Sequence, residues 1–298
     1  MADLFSKLDT LKSRVIDLLV KNRLRERDVE GMFIKWYFNC NKKDYYPVDF
    51  NISDDLKYYH DVKGYRINIE DLQRKVNKIV EEVRDMKAEK KEEKEAKSFF
   101  SSKQLKMLSD RYEGEKDKKE ATISFLSRLY SFLGGTNNHL SVPPSLIGEG
   151  WVEMFGSPIN TKGKYCSPFE IEKDFGSLGS FFDYFVIPGF HLVNPPYDVS
   201  IIEKAVSKLI KELDGVDDTT PLSFLVVLPN WGDMNCIKVM KESKYLKKHT
   251  LLKRDKCRFY DYYNDKFFSV GDILLFYLTA DKNDDFDFND FTRRWSNI

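Results

Sequence analysis

The chain has 298 residues, room for about two domains of ~150 residues each. Forty-eight Lys and Arg balance forty-eight Asp and Glu, so no global field draws it onto nucleic acid or membrane, and such a partner must be held locally. Four cysteines without CxxC spacing and four scattered histidines offer no zinc pattern and read as reduced thiols, so no metal is expected. No apolar run reaches the ~18 residues of a membrane span, and the stretch from Met1 to Leu19 is amphipathic, unlike a signal peptide. A soluble intracellular protein of nucleus or cytoplasm, with no membrane partner, is the expectation.

Charge divides the chain at residue 135, with 29 basic and 25 acidic residues before it and 19 and 23 after it. Leu4, Leu8, Leu11, Val15 and Leu18 recur at steps of three and four, the stripe of an amphipathic helix, and Met32 to Phe38 begins another apolar segment. YYPVDFNISDD, at 45–55, is turn-rich and predicts a short hairpin. Ile69, Leu72, Val76, Ile79, Val83 and Met86 form the seam of a long helix running into KAEKKEEKEAK, a solvated charge run whose signs cancel. Lys116 to Phe132 predicts a further helix, stopped at Gly134-Gly135. The spacing thus gives a helical domain over 1–135 and a different texture over 136–298.

There, Trp151–Phe155, Phe185–Val193, Leu222–Leu228 and Ile273–Leu278 read as buried strands. Val199, Ile202, Val206, Leu209 and Leu213 space a helix directly after the second of them, which predicts an α/β fold with a parallel sheet. Asp198 reads as that helix's N-cap. Ligands of such sheets sit beyond the carboxyl ends of the strands, where this chain reads GSPIN, NPPY and PNW.

The sharpest signal is an apolar strand running into Asn194-Pro195-Pro196-Tyr197 and then a helix. An exocyclic amine on a base is a poor nucleophile because its lone pair is conjugated into the ring, so an enzyme must hold it in line. The side-chain oxygen of Asn194 and the carbonyl of Pro195 could each accept one N–H, while Pro195 and Pro196 stiffen the turn that fixes both acceptors. Tyr197 would stack on the base. The pattern resembles the Asp/Asn-Pro-Pro-aromatic signature of S-adenosylmethionine-dependent amino-methyltransferases.

Val142-Pro143-Pro144, Trp151 to Asn160, Tyr165-Cys166-Ser167-Pro168-Phe169, Asp174 to Ser177, Gly179 to Phe181 and Pro221 to Trp231 surround it in an order that resembles one family. This is the catalytic region of the cap-specific adenosine N6-methyltransferases, the phosphorylated-CTD-interacting-factor family, from roughly Val142 to Leu278. The resemblance implies a Rossmann-like methyltransferase sheet preceded by an α-helical domain. It also implies S-adenosylmethionine as cofactor and capped RNA as partner, methylated on N6 of the cap-adjacent 2′-O-methyladenosine. Glu153, Phe155, Gly156, Ser157 and Pro158 would form the first cofactor loop, Asp174 would accept ribose hydroxyls, and Phe175 and Asn194 would complete the cofactor contacts. Only some thirty residues part Phe155 from Phe185, so the middle of the sheet is expected to be abbreviated.

For the substrate, Trp231 would line the base pocket. Two basic clusters could meet the RNA: Lys21, Arg23, Arg25 and Arg27, or Lys244, Lys247, Lys248, Lys253 and Arg254, with the second, and Lys247, Lys248 and Arg254 in it, preferred. The acidic stretch DKNDDFDFND reads as a solvated end. Animal members of the family begin with a WW domain; nothing before Phe5 leaves room for one, so no WW domain, and hence no polymerase-tail binding, is expected. A DNA adenine or cytosine amino-methyltransferase uses the same acceptor geometry, and a catalytically silent nucleic-acid-binding subunit would keep the same fold.

Overall fold

The computed structural model describes residues 2–39, 45–86, 99–134, 140–232 and 234–298. The chain divides into two compact units, Met1–Phe100 with Glu120–Gly134, and Ser101–Lys119 with Gly135–Ile298. The expected division at 135 coincides with the end of a helix, but the segment Ser101–Lys119 belongs with the second unit.

The first unit is helical: α1 (Ala2–Lys21), α2 (Glu26–Asn39), α3 (Ser53–Asp61), α4 (Ile69–Asp85) and α6 (Lys119–Leu133), with α5 (Ser102–Arg111) in the second unit. Leu8, Leu11 and Val15 of the α1 stripe are fully buried, and α1 packs along α4, which buries Leu72, Val76, Val80 and Val83. Val80 faces inward where the sequence pattern pointed to Ile79, and Met86 is exposed because the helix has ended at Asp85. The charge run KAEKKEEKEAK lies outside the described residues. No hairpin forms over 45–55. Asn51 instead accepts from the Ser53 amide at 2.9 Å to open α3, and Phe50 stacks on Phe33 with centroids 4.4 Å apart. Of the basic cluster at 21–27, Arg25 is held by Asp28.

The second unit is built on a mixed five-stranded sheet of β2 (Val152–Glu153), β3 (Gly189–Val193), β4 (Leu222–Pro229), β5 (Leu246–Leu252) and β8 (Ile273–Thr279), ordered β2-β3-β4-β8-β5. A second sheet of β1 (Leu140–Ser141), β6 (Phe259–Asp261) and β7 (Lys266–Phe268) is antiparallel. β2, β3 and β4 are mutually parallel, but β8 runs antiparallel to both neighbours, which corrects the all-parallel expectation. The reason lies between β5 and β8: a parallel return needs a crossover such as a helix, and residues 253–272 hold a hairpin instead. β4 and β8 bury every residue, as strands covered on both faces must, whereas β5 is the edge and exposes Lys247 and Lys248.

One face of the sheet packs on α7 (Val199–Asp214) and α8 (Asn235–Glu242) through Ile202, Val206, Leu209, Ile237 and Met240. The other packs on α9 (Phe288–Ser296), which inserts Phe288, Phe291 and Trp295. The stretch 281–290 is therefore no solvated end. Phe288 is buried, and Asp284 accepts from the hydroxyls of Ser223 (2.8 Å) and Tyr277. Beyond β2 the sheet continues only as single parallel bridges, Glu153 to Tyr165 and Tyr165 to Ser177, the abbreviated middle that the chain length required. Among the described residues no helix is long and apolar enough to cross a membrane, and no three His, Cys, Asp or Glu side chains converge as metal ligands.

Candidate active site

The parallel strands β2, β3 and β4 deliver Glu153, Val193 and Pro229 to one edge of the sheet. Leaving β3, the chain turns through Asn194-Pro195-Pro196-Tyr197, a turn closed by the Asp198 amide donating to the Pro196 carbonyl at 2.8 Å. Asp198 then caps α7, its carboxylate accepting from the Ile201 amide at 3.1 Å. Along β3, Leu192 faces the α9 side of the sheet and Val193 the α7 side. The turn itself leaves two polar atoms buried without a protein hydrogen-bond partner, Asn194 Oδ1 and the Tyr197 hydroxyl. Such atoms are rare in folded proteins and mark places where a ligand or water completes the bonding. Burial, and secondarily Cys257 beside it, pushes the Tyr197 phenol well above its ordinary value, so it stays protonated.

Trp231 follows β4 by two residues and meets Tyr197 edge-on, ring centroids 5.9 Å apart. Its indole is 51% exposed. The loop that carries it is tied down by the Asn230 amide donating to the Asp272 carbonyl at 3.0 Å. The carboxylate of Asp272 accepts from Lys253 (2.9 Å) and from the Arg254 amide (2.9 Å), so the end of β4 and the turn after β5 share one anchor.

At the end of β2, Glu153 is 5% exposed. Its Oε2 accepts from Ser141 at 3.3 Å, while its Oε1 has no partner. Burial raises its pKa to about 7, partly offset by Thr161, Ser141 and Arg111. After Phe155, whose ring packs on Phe181 and Phe182, the chain passes Gly156, where a Cβ would lie 2.7 Å from that of Tyr165. Only glycine allows this approach. The Ser157 amide donates to Asn160 Oδ1 at 2.7 Å, which shapes the loop with Pro158, and the Ser157 hydroxyl is buried without a partner.

The structure thus brings Asn194, Pro195, Pro196, Tyr197 and Trp231 together, with Glu153, Phe155, Gly156, Ser157 and Pro158 on the neighbouring strand end. The remaining candidates stand on other elements of the second unit. Asp174 and Phe175 lie in a 3-10 turn (Glu170–Phe175) against residues 112–114, with the backbone carbonyl of Asp174 accepting from the Glu113 amide at 2.8 Å and Phe175 packed on Tyr112. Lys248 pairs with Tyr277 on the outermost strand, three strand spacings from β3, about 14 Å. Arg254 lies beyond the carboxyl end of β5, in the turn anchored by Asp272. Sequence reasoning missed Ser141, Arg111, Thr161 and Asp272. None stands in a motif, and Arg111 acts from α5 across 50 residues by donating to the Thr161 carbonyl at 2.5 Å.

Residues 86–262 match the family described as the phosphorylated CTD interacting factor 1 WW domain. The chain belongs to that family. It is similar to the mRNA (2′-O-methyladenosine-N6-)-methyltransferase of mouse, 33% identical over 104 residues, and to that of human, 32% identical over 104 residues. Each alignment covers 34% of this chain and 14% of the relative, so the chain matches about a seventh of the relatives' length. The family match overturns the expectation of no WW domain. That expectation looked only before Phe5, whereas the region the family is named for matches from residue 86 onward.

Proposed function

We propose that the protein is an S-adenosylmethionine-dependent methyltransferase acting on N6 of adenosine in RNA, at the cap-adjacent 2′-O-methyladenosine. The observation that carries this reading is Asn194 Oδ1, buried without a partner directly after β3, on the turn whose Tyr197 ring meets Trp231. A carbonyl oxygen placed there can accept one amine N–H, and the Pro195 carbonyl on the same stiffened turn can accept the second. The amine's lone pair then points along one fixed direction. Tyr197 offers a ring face to the base, and Trp231 forms the rim that keeps water from it.

The residues at the end of β2 fit the cofactor. Gly156 lets backbone come close, and Glu153 and Ser157 hold buried oxygens without partners, as groups awaiting a polar ligand do. S-adenosylmethionine, when bound, supplies an electrophilic methyl group on a sulfonium. What the chain contributes is position: the two acceptors orient the amine, and the prolines hold the acceptors. The choice of RNA and of its cap-adjacent nucleotide is supported by the names of the mouse and human relatives. The test is incubation with labelled S-adenosylmethionine and a panel of capped RNA beginning with adenosine, the same RNA uncapped, and DNA. N6-methylated adenosine from capped RNA is the expected product, and equal labelling of uncapped RNA or preference for DNA would overturn the substrate assignment.

A further inference from the structure

Residues 253–258 read Lys-Arg-Asp-Lys-Cys-Arg, and the side chains of Lys253, Arg254, Lys256 and Arg258 are all exposed. Among the described residues only Lys253 of these four has a carboxylate partner, Asp272. Arg254, Lys256 and Arg258 are left against one carboxylate of the same turn, Asp255, a local excess of two positive charges in a chain whose net charge is zero. The chain continues directly into the β6–β7 hairpin, which pairs Phe259 with Phe268 and leaves Phe267 46% and Phe268 49% exposed. Turn and hairpin are one surface. Ser269 donates to the Cys257 carbonyl at 3.4 Å, and Lys253, Arg254, Asp255, Ser269 and Asp272 line an open hollow of about 530 Å³. Asp272 joins the turn to the Trp231 loop, its carboxylate accepting from the Arg254 amide and its carbonyl from the Asn230 amide.

Unpaired cations beside outward aromatic rings are the two components of surfaces that hold single-stranded nucleic acid: charge meets phosphates, and rings accept bases whatever their sequence. A solvated surface would need only the cations. Phe267 and Phe268, consecutive on β7, face opposite sides of the hairpin, and the half-exposed ring of Phe268, next to the Ser269 contact with the turn, costs free energy in water and gains it when a base covers it. We propose that the 253–258 turn and the β6–β7 hairpin bind a single-stranded polynucleotide and lead it to Tyr197 and Trp231. Only the destination of the strand rests on the methyltransferase reading above; the binding surface itself does not.

The experiment is fluorescence anisotropy with labelled RNA and DNA strands of about 12 nucleotides, a length that one such surface spans, titrated over a range of salt. The proteins are the full chain, the pair Lys256→Glu with Arg258→Glu, and Phe268→Ala, each checked for an unchanged melting temperature. The charge pair should weaken binding of both strands at least about tenfold and reduce the salt slope by about 1.4, the loss of two phosphate contacts on a single strand. Phe268→Ala should weaken binding about fivefold to tenfold with the slope unchanged, since it removes a stacking face and no charge. A wild-type slope near zero, or unchanged affinity for both strands in folded variants, would overturn the proposal. Methyl transfer measured in parallel separates the two readings. Binding lost in the variants while wild type methylates nothing leaves this surface standing without the proposed activity, and active wild type with unaltered binding in the variants removes the surface alone.

Discussion

The indole of Trp231 meets the ring of Tyr197 edge-on, with centroids 5.9 Å apart and planes at 79°. They come from the ends of adjacent parallel strands, β3 and β4, so the sheet fixes their spacing more firmly than either loop does alone. Tyr197 keeps its hydroxyl buried while half of Trp231 faces solvent, which makes the first a floor and the second a rim.

Trp231→Ala should leave the melting temperature almost unchanged, because little of the indole's environment is core. It should weaken capture of the target nucleotide by ~1–3 kcal/mol, read as a rise in KM for RNA. A large drop in melting temperature would make the indole a packing residue.

Tyr197→Phe should hold or slightly raise stability, since it deletes a buried hydroxyl that has no partner. Activity should be largely retained, because the ring face stays. Inactivity of this variant would show that the hydroxyl bonds substrate or cofactor.

Much of this was legible in the sequence because the signals were local. The α1 stripe, the Asp198 cap and the strand before Asn194 each follow from residues within a few positions of one another. What could not be read depended on distant partners. The direction of β8 is set by the absence of a crossover helix after β5. The inward turn of 281–290 is set by Phe288, Phe291 and Trp295 finding the far face of the sheet, which outweighs the acids' preference for water. Lys247 and Lys248 are expected as substrate contacts because they sit between strands that should border the pocket at Asn194 to Tyr197. An edge strand carries lysines for its own reason, to discourage pairing with other chains, and register places them the width of three strands away.

The buried carboxyl of Glu153 predicts an unusual pH dependence. Its folded pKa, about 7, lies above the ordinary glutamate value near 4.5, so the folded state holds its proton more tightly than the unfolded one. Stability should therefore fall as pH rises from about 4.5 to 7, by an amount on the order of 3 kcal/mol, and level off above that. Glu153→Gln, which keeps the shape without the charge, should flatten this part of the profile in denaturant titrations at pH 5.5 and 8. A wild type that gains stability across the same interval through this residue would refute the assignment.

Gly156→Ala should destabilise the second unit by ~1–3 kcal/mol, because the added methyl would fall 2.7 Å from the Tyr165 Cβ, buried and unable to swing away. Chemical denaturation would show it as a lower midpoint. An unchanged midpoint would mean that the loop after β2 yields freely and is a poor platform for a cofactor.

The most direct test of the central claim is Asn194→Ala, measured for turnover on capped RNA and, by calorimetry, for S-adenosylmethionine affinity. If the Asn194 oxygen orients the amine, turnover should fall about a hundredfold or more while cofactor affinity stays within about threefold of wild type. Undiminished turnover would contradict the account.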